Sequence, residues 1–515
     1  MSNVMFIKPA LETDATWEMV RTSSYLGIWY LASLLKEKGH NVMYLDEVVR
    51  NGGLGRSVLF QTKLKGSELS RYQIDISLED YRKEKNRFFE QNTPGEFTKK
   101  YTAFKGDEIV RTIARTGNSL EDTLRKVEAF SPDYVGVPLI ASTNYRTAVM
   151  LGKSIKKSFP GVKMIYGGQH ISACWEDFLK ENDWVDHLIT GDAIAVIDSL
   201  VKGEISDRVI HGEFQSMKQF PLLDYSIIAD THYPIDQAYS YPSFGRKSTD
   251  FMFSKGCFRK CDFCVAGSQK GNYTSYLDWD LIDEQFKVFK ESGIEEIIVQ
   301  DDAFIYKKDN LLKKLGLLNK YGFYWQITGG FDFETLNTSV TDLLVDFNKT
   351  SSGKLTGLYM PFNPRSWNKG KSATGTMVNR YENNFECMKR LREEADVYVF
   401  TSDILGTPEH TAEIVENDME IHKQMIKDGY LDAALTLSAT MLPGTSWFNA
   451  NKHNVVNVHD YSGYSLFATH HRTKNIPDPS KIEELVVKRT KELNSIQDTY
   501  NWQTAFPNSV WPYKG

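Results

Sequence analysis

Lys255-Gly256-Cys257-Phe258-Arg259-Lys260-Cys261-Asp262-Phe263-Cys264 holds three of the chain's five cysteines within one short loop. The spacing is C-x3-C-x2-C. Soft thiolates suit iron–sulfur clusters, and three of them leave one iron of a four-iron cubane open to a small molecule. Zinc is the competing reading, but a closed zinc site of this spacing wants a fourth Cys or His. Cys174 and Cys387 lie far along the chain, and no histidine falls inside the loop. A disulfide framework fits poorly with a low, odd cysteine count in a long chain.

Working outward from that loop, strand and helix alternate. Strands fall near 250–254, 295–300, 323–327, 356–360, 397–404 and 433–440, with helices near 279–291, 308–320, 334–347, 379–395 and 410–428. Six strands with five intervening helices make an open, partial barrel. The cysteine loop follows the first strand directly, where barrel active sites are built. Upstream, strands near Val4–Ile7, Asn41–Leu45, Tyr134–Leu139, Val162–Tyr166 and Trp184–Thr190 alternate with helices, which argues for a parallel doubly wound sheet. Residues 50–125 read as a polar insertion with some helices. The expected division is a doubly wound domain over 1–202, a linker over 203–248, the barrel over 249–445 and an extension over 446–515, with one strong helix near 480–500.

The 515 residues carry a net charge of −6, which gives no electrostatic reason to expect nucleic-acid binding. No apolar run approaches the ~20 residues of a membrane span. The amino terminus enters a strand directly, so no signal peptide is expected, and reduced cysteines point to a cytoplasm. Aromatic residues make up 13% of the chain, which suits large flat ligands as well as a core.

Taken together, the chain resembles the radical S-adenosylmethionine (SAM) superfamily, in the class with an amino-terminal cobalamin-binding domain. The resemblance covers nearly all of the chain except residues 50–125. It implies that Cys257, Cys261 and Cys264 hold a [4Fe–4S] cluster whose open iron takes the amine and carboxylate of SAM. Phe263 matches the aromatic residue usual before the third cysteine. Val299-Gln300-Asp301-Asp302-Ala303-Phe304 resembles the segment near the cofactor's polar end, which implicates Asp301 and Asp302. Gln326, at the end of the third strand, stands where the family places polar cofactor contacts. Ile404-Leu405-Gly406-Thr407-Pro408-Glu409 resembles the turn that meets the adenine, which implicates Ile404 and Gly406. Leu442-Pro443-Gly444-Thr445 resembles the turn after the last strand.

One segment departs from the family pattern. After the fourth strand the chain reads Gly357-Leu358-Tyr359-Met360-Pro361-Phe362-Asn363-Pro364-Arg365, without the usual acid. Asn363 is the candidate for the ribose or amine, and Arg365 for the carboxylate. For cobalamin, the resemblance implicates Leu26 and Gly27, Ser142 and Thr143, Gly167, Gly168 and His170, and Gly191. A D-x-H-x-x-G motif is missing, so His170 is assigned to the corrin periphery rather than to cobalt. Gly191-Asp192-Ala193-Ile194 departs from the usual G-E-G-E.

The resemblance implies a methyltransferase acting on an unactivated carbon of a small metabolite or natural-product intermediate, supplied with electrons by a flavodoxin or ferredoxin, without nucleic acid or membrane. A non-methylating rearrangement, cyclisation or group transfer is the alternative, and a non-catalytic corrinoid or cluster sensor a remote one. Trp447, Phe448, Tyr461, Tyr464 and Trp502 are candidate pocket aromatics. His470-His471-Arg472 is a candidate anion site.

Overall fold

The first of two parallel six-stranded sheets takes β1 (Asn3–Lys8), β2 (Asn41–Asp46), β3 (Tyr134–Pro138), β4 (Lys163–Gly167), β5 (His187–Gly191) and β6 (Val209–Gly212). The computed structural model describes residues 1–15, 24–50, 53–54, 57–91, 93–229, 231, 246–259, 261–266, 274–361, 382–408, 410–465 and 468–496. Val4-Met5-Phe6-Ile7 of β1 is wholly buried, the continuous apolar run required of a parallel strand covered on both faces. The spatial order is β6-β5-β4-β3-β1-β2. Direction of winding reverses between β1 and β3, and ligands of doubly wound sheets bind outside the carboxyl ends of the strands at such a switch point.

The second sheet is β7 (Ser248–Phe251), β8 (Glu296–Val299), β9 (Tyr324–Ile327), β10 (Lys354–Tyr359), β11 (Tyr398–Leu405) and β12 (Ala433–Ser438). They lie in chain order and all pair in parallel. Helices Trp279–Glu291, Lys308–Tyr321, Thr338–Thr350, Glu382–Ala395 and Ala412–Lys427 alternate with them. Their boundaries have local causes. Asp278, Asn337 and Thr411 each cap a helix start through a side-chain oxygen, and Gly322 ends a helix in the left-handed region. This is the six-unit partial barrel expected from the alternation.

The segment read as a linker packs as structure. Its described part supplies edge strand β6, and Phe220, Leu223 and Ile228 enter the same core as the barrel's Phe251, Phe286 and Phe289. Gln285 of the first barrel helix donates to the carbonyl of Leu223 and accepts from its N–H. Trp29 reaches across to Phe289 with ring centroids 6.1 Å apart. The linker reading missed this because the segment's apolar residues are spaced by interdomain contacts, not by a helix or strand period.

The insertion carries helices Leu78–Glu90 and Pro94–Tyr101, as expected, and forms an antiparallel sheet with upstream Leu11–Asp14: Leu11–Asp14, Glu108–Thr116, Ser57–Lys65 and Glu68–Gln73 in spatial order, with Thr102–Lys105 on the Glu108–Thr116 strand. Arg111 is buried there. Its guanidinium meets Asp460 at 2.9 Å, Asp14 at 3.1 Å and Glu483 at 3.2 Å. Asp460 and Glu483 belong to the carboxy-terminal extension, so one cation ties insertion to extension. The extension's helix Pro479–Asn494 sets Ile482 and Val486 against Phe400, Leu405 and Ala433 of the last barrel strands.

Gly191 shows how tightly β5 turns. Its φ is +71°, and an added Cβ would stand 2.2 Å from the carbonyl oxygen of Gly212. Gly191→Ala is expected to cost at least ~1–3 kcal/mol of stability, read as a lowered denaturant midpoint with unchanged slope.

Candidate functional site

Two features meet where the sheets face each other: the cysteine loop and an apolar cavity at the switch point. The cysteine loop leaves β7 and is tied from several sides. Asp301, after β8, is buried. Its carboxylate accepts from the Phe253 N–H, the Ser254 hydroxyl and the Lys314 ammonium, each at 2.7 Å. Asp302 accepts from the Gly256 N–H at 2.7 Å. Arg259 meets Asp332 at 2.6 Å and Glu334 at 2.7 Å, both in the stretch after β9. Both aspartates therefore face the backbone that leads into Cys257, with Asp301 spent on the protein itself.

Cys257 and Cys264 are half-buried and Cys261 is exposed. Burial raises the Cys257 thiol, while the Arg259 N–H, 3.4 Å from its sulfur, opposes the rise. Burial and then the neighbouring Cys264 and Cys257 push Cys261 up to about 11. The mutual effect shows the three sulfurs to be electrostatic neighbours, and metal binding displaces their protons. Among the described residues no three His, Cys, Asp or Glu side chains converge as a single-ion site would require. Three thiolates that each hold a different iron need no such convergence, so the donor set fits a cluster better than zinc.

The cavity has a volume of about 230 Å³. Phe6 of β1, Val137 of β3, Ile165 of β4 and Gly27 of helix Leu26–Glu37 lie in one wall, with Met252 and Lys255 in another. Lys255 stands two residues before Cys257. Its ammonium pairs with Asp192 and lies 4.2 Å from the Phe214 ring and 4.5 Å from the Phe220 ring. Gly27 has nothing within 4 Å of an added Cβ. A glycine in a helix costs about 1 kcal/mol against alanine, so open space above it fits a ligand laid on that turn.

The expected cobalamin residues divide. Gly27, Gly167 and Gly168 line the cavity. Gly168 also starts helix Gln169–Glu181 with φ of +105°, and an added Cβ would meet the Leu139 carbonyl oxygen at 2.8 Å. Leu26 opens the helix beside Gly27 and packs half-buried on the core. Ser142 and His170 turn to each other, Oγ to Nδ1 at 2.8 Å, beneath Tyr145 and Tyr461. Neither borders the cavity, and burial holds the His170 imidazole down at about 4. Thr143 directs its hydroxyl to Asn144, and Gly191 is shaped by Gly212 while its neighbour Asp192 borders the cavity.

In the barrel, Trp325 packs outward on Phe304 and Phe347, which places Gln326 on the lumen face. Gln326 donates to Glu296 at 2.8 Å, reaching towards the start of β8. Ile404 is half-buried, beside outward-facing Asp403, which pairs with Arg489. Gly406 follows in a turn. Phe263 is 39% exposed, at the rim. Asn363, Arg365, Glu409 and Trp502 lie outside the described residues.

The anion-site expectation needs correction: His470 and His471 are fully buried, and Arg472 caps the Gly106 carbonyl. Phe448 and Tyr464 are core, and Tyr461 stacks on Tyr145 at 3.9 Å. Sequence reasoning missed Lys255, Asp192 and Arg259, whose partners are distant in the chain. Lys255, beside the first cysteine, was the visible signal.

No family model matches the chain. A curated relative, the anaerobic magnesium-protoporphyrin IX monomethyl ester cyclase of Cereibacter sphaeroides, is 23% identical over 365 residues, which cover 68% of this chain and 58% of that enzyme. The chain thus spans less than two thirds of that relative. The radical SAM methyltransferase TsrM of Kitasatospora setae, solved with cobalamin and a [4Fe–4S] cluster, superposes with a TM-score of 0.52 at 12% identity. That match covers 87% of this chain and 77% of TsrM. The cobalamin-dependent radical SAM enzyme OxsB superposes with a TM-score of 0.57 at 11% identity, over 98% of this chain and 72% of OxsB.

Asp302→Asn leaves Gly256 an acceptor but removes the charge, whereas Asp301→Asn also unpairs buried Lys314. Asp301→Asn is therefore expected to cost about 3–5 kcal/mol and Asp302→Asn about 1 kcal/mol, with iron retained per chain falling in the same order. Glu296 is raised to about 7 by burial, partly offset by Gln326 and Arg246. A carboxyl raised on folding adds stability below its unfolded pKa and loses it as pH rises through the folded value. Wild-type stability is expected to fall relative to Glu296→Gln between about pH 4.5 and 7, measured by urea unfolding across that window. The structural neighbours are radical SAM enzymes that use cobalamin, and this chain has their fold: a doubly wound domain set against a six-unit partial barrel.

Proposed function

We propose that the chain is a cobalamin-dependent radical SAM methyltransferase acting on an unactivated carbon of a small molecule. One observation carries the reading. Met252 and Lys255, the residues that lead into Cys257, line the switch-point cavity, so a ligand there adjoins the base of the cysteine loop. When bound, the cluster supplies one electron to the sulfonium of SAM and the corrinoid supplies a methyl group.

The chain's own residues bind, orient and exclude water. Cys257, Cys261 and Cys264 hold the cluster, with the backbone before them fixed by Asp301 and Asp302. Ile404 and Gly406 take the adenine end of SAM, Phe263 covers the loop, and Gln326 faces the lumen below. Leu26, Gly27, Gly167 and Gly168 bound the corrinoid, with Asp192 and Lys255 at its barrel-facing edge. Ser142, Thr143, His170 and Gly191 support that wall from behind, and Asn363 is retained for the ribose or amine. We take the domain limits as 1–202, 249–445 and 446–515, with residues 203–229 assigned to the amino-terminal unit because they supply β6. A flavodoxin- or ferredoxin-type protein supplies electrons, and a cytoplasmic location follows from the reducing chemistry. Among the described residues no helix is long and apolar enough to cross a membrane.

A second reading, cyclisation or rearrangement without methyl transfer, is favoured by the cyclase relative and by the missing acid after β10. The two differ in products. Anaerobically reconstituted protein with added cobalamin, a reductant and SAM is expected to release both 5′-deoxyadenosine and S-adenosylhomocysteine. 5′-Deoxyadenosine alone favours the second reading, and neither product sinks both. Replacing all three loop cysteines by Ala is expected to remove the cluster absorption and both products.

A further inference from the structure

The turn at Gly406 is held at both of its backbone polar groups by histidines. Its N–H donates to Nδ1 of His410 at 3.0 Å, and its carbonyl accepts from Nε2 of His471 at 2.8 Å. An acceptor Nδ1 must be bare, and a donor Nε2 must carry the proton, so the two imidazoles play opposite roles. His471 is fully buried, and burial lowers its pKa, which favours the neutral ring.

His471 does not belong to the barrel. It comes from the carboxy-terminal extension, and Trp447 of the same extension packs edge-on against it at 6.2 Å and 68°. Trp447 lies in the first turn of helix Ser446–Asn451, whose cap is the Thr445 hydroxyl, accepting from the Phe448 N–H at 3.1 Å. First-turn N–H groups have no partner within their helix. That of Trp447 donates to the carbonyl of Asp262 at 3.0 Å, and Asp262 lies between Cys261 and Cys264. The Trp447 backbone thus meets the cysteine loop while its ring packs on His471, which holds the Gly406 turn.

The barrel itself does not fix that span. The cysteine loop follows β7 and the Gly406 turn follows β11, with β8, β9 and β10 between them. No ladder hydrogen bond joins strands so far apart in a sheet, and both anchors are irregular backbone beyond the strand ends. A ligand gripped by both needs the distance held, since a displacement of about 1 Å in a positioned reactant can cost a hundredfold in rate.

We infer that Trp447 and His471 form a brace that sets the separation between the cysteine loop and the Gly406 turn, and that His471 is a positioning residue for SAM held between them. The inference rests on the functional reading above, in which the open iron takes the methionyl end and the Gly406 turn the adenine end. Residues of the extension, outside both sheets, thereby tune how tightly the barrel holds its cofactor.

The test uses the full chain with its cluster reconstituted anaerobically, and SAM as the probe. Iron and sulfide per chain, SAM affinity by equilibrium dialysis, and the change that SAM makes in the electron paramagnetic resonance spectrum of the reduced cluster are measured together. His471→Leu is expected to keep wild-type iron and to bind SAM at least about tenfold more weakly, the value of one lost hydrogen bond. Its spectrum should respond correspondingly less to SAM. His471→Gln, whose side-chain amide donates to the Gly406 carbonyl, should return affinity to within about threefold of wild type. Trp447→Leu should weaken binding in the same direction. Wild-type SAM affinity in His471→Leu at equal iron overturns the brace. So does an equal loss of iron and affinity in both His471 variants, which marks a general packing defect. Should His471→Leu fail to fold, Trp447→Leu decides, and unchanged affinity there overturns the inference. Wild-type protein that loads no cluster or binds no SAM overturns the functional reading, and the brace falls with it; loaded wild type separates the two.

Discussion

A buried carboxylate with three donors, Asp301, is the interaction on which the site depends. It holds the Phe253 N–H, the Ser254 hydroxyl and the Lys314 ammonium, so the chain leaving β7 has one path into Cys257. Lys314 is itself fully buried; burial lowers its pKa and Asp301 opposes the fall. Neither charge is tolerable without the other, because an unpaired ion in that interior carries several kcal/mol of desolvation. The pair therefore acts as a structural lock that no packing of apolar groups replaces in direction. Asp302 extends it by one residue to the Gly256 N–H. The cysteine loop is too short and too polar to fix its own conformation, so neighbouring barrel loops do so.

The second constraint is the shared core of the two sheets. Trp29 from the first helix, Phe220 and Leu223 from the segment between the sheets, and Phe286 and Phe289 from the first barrel helix belong to one continuous apolar cluster. Burial on this scale is the main favourable term in holding the sheets together. It brings the switch-point cavity of one sheet against the cysteine loop of the other, and Lys255 with Asp192 spans the seam. The lysine stem and ammonium lie against Phe214 and Phe220, so the pair is shielded from water and stronger than a surface ion pair.

Much of the fold was legible in the residues. Helix caps such as Asp278, Asn337 and Thr411, and stops such as Gly322, bracket apolar periods whose type is unambiguous, and every expected barrel strand and helix is present with its ends shifted by a few residues. The insertion was not legible as a sheet, because its polar, weakly periodic residues read as an insertion with some helices, and Arg111 finds its three carboxylates only in distant parts of the chain. Among site residues, glycines could be found but not sorted. Gly27 faces open space, whereas Gly191 is required by its own backbone and by Gly212, and both look alike in a string of letters. His470 and His471 read as part of an anion site and are buried.

The order of residues alone carries the three-cysteine donor set and the two alternations of strand and helix, because ligand type, spacing and period are local properties. How the cysteine loop is held follows from the packed fold, since Asp301, Asp302, Arg259, Asp262 and their partners meet across strands and loops that distance along the chain does not order. Three cysteines in one loop can be read from the letters; Lys314, Asp332 and Trp447 give that loop its shape, and each does so through a contact that exists only once the sheets are packed.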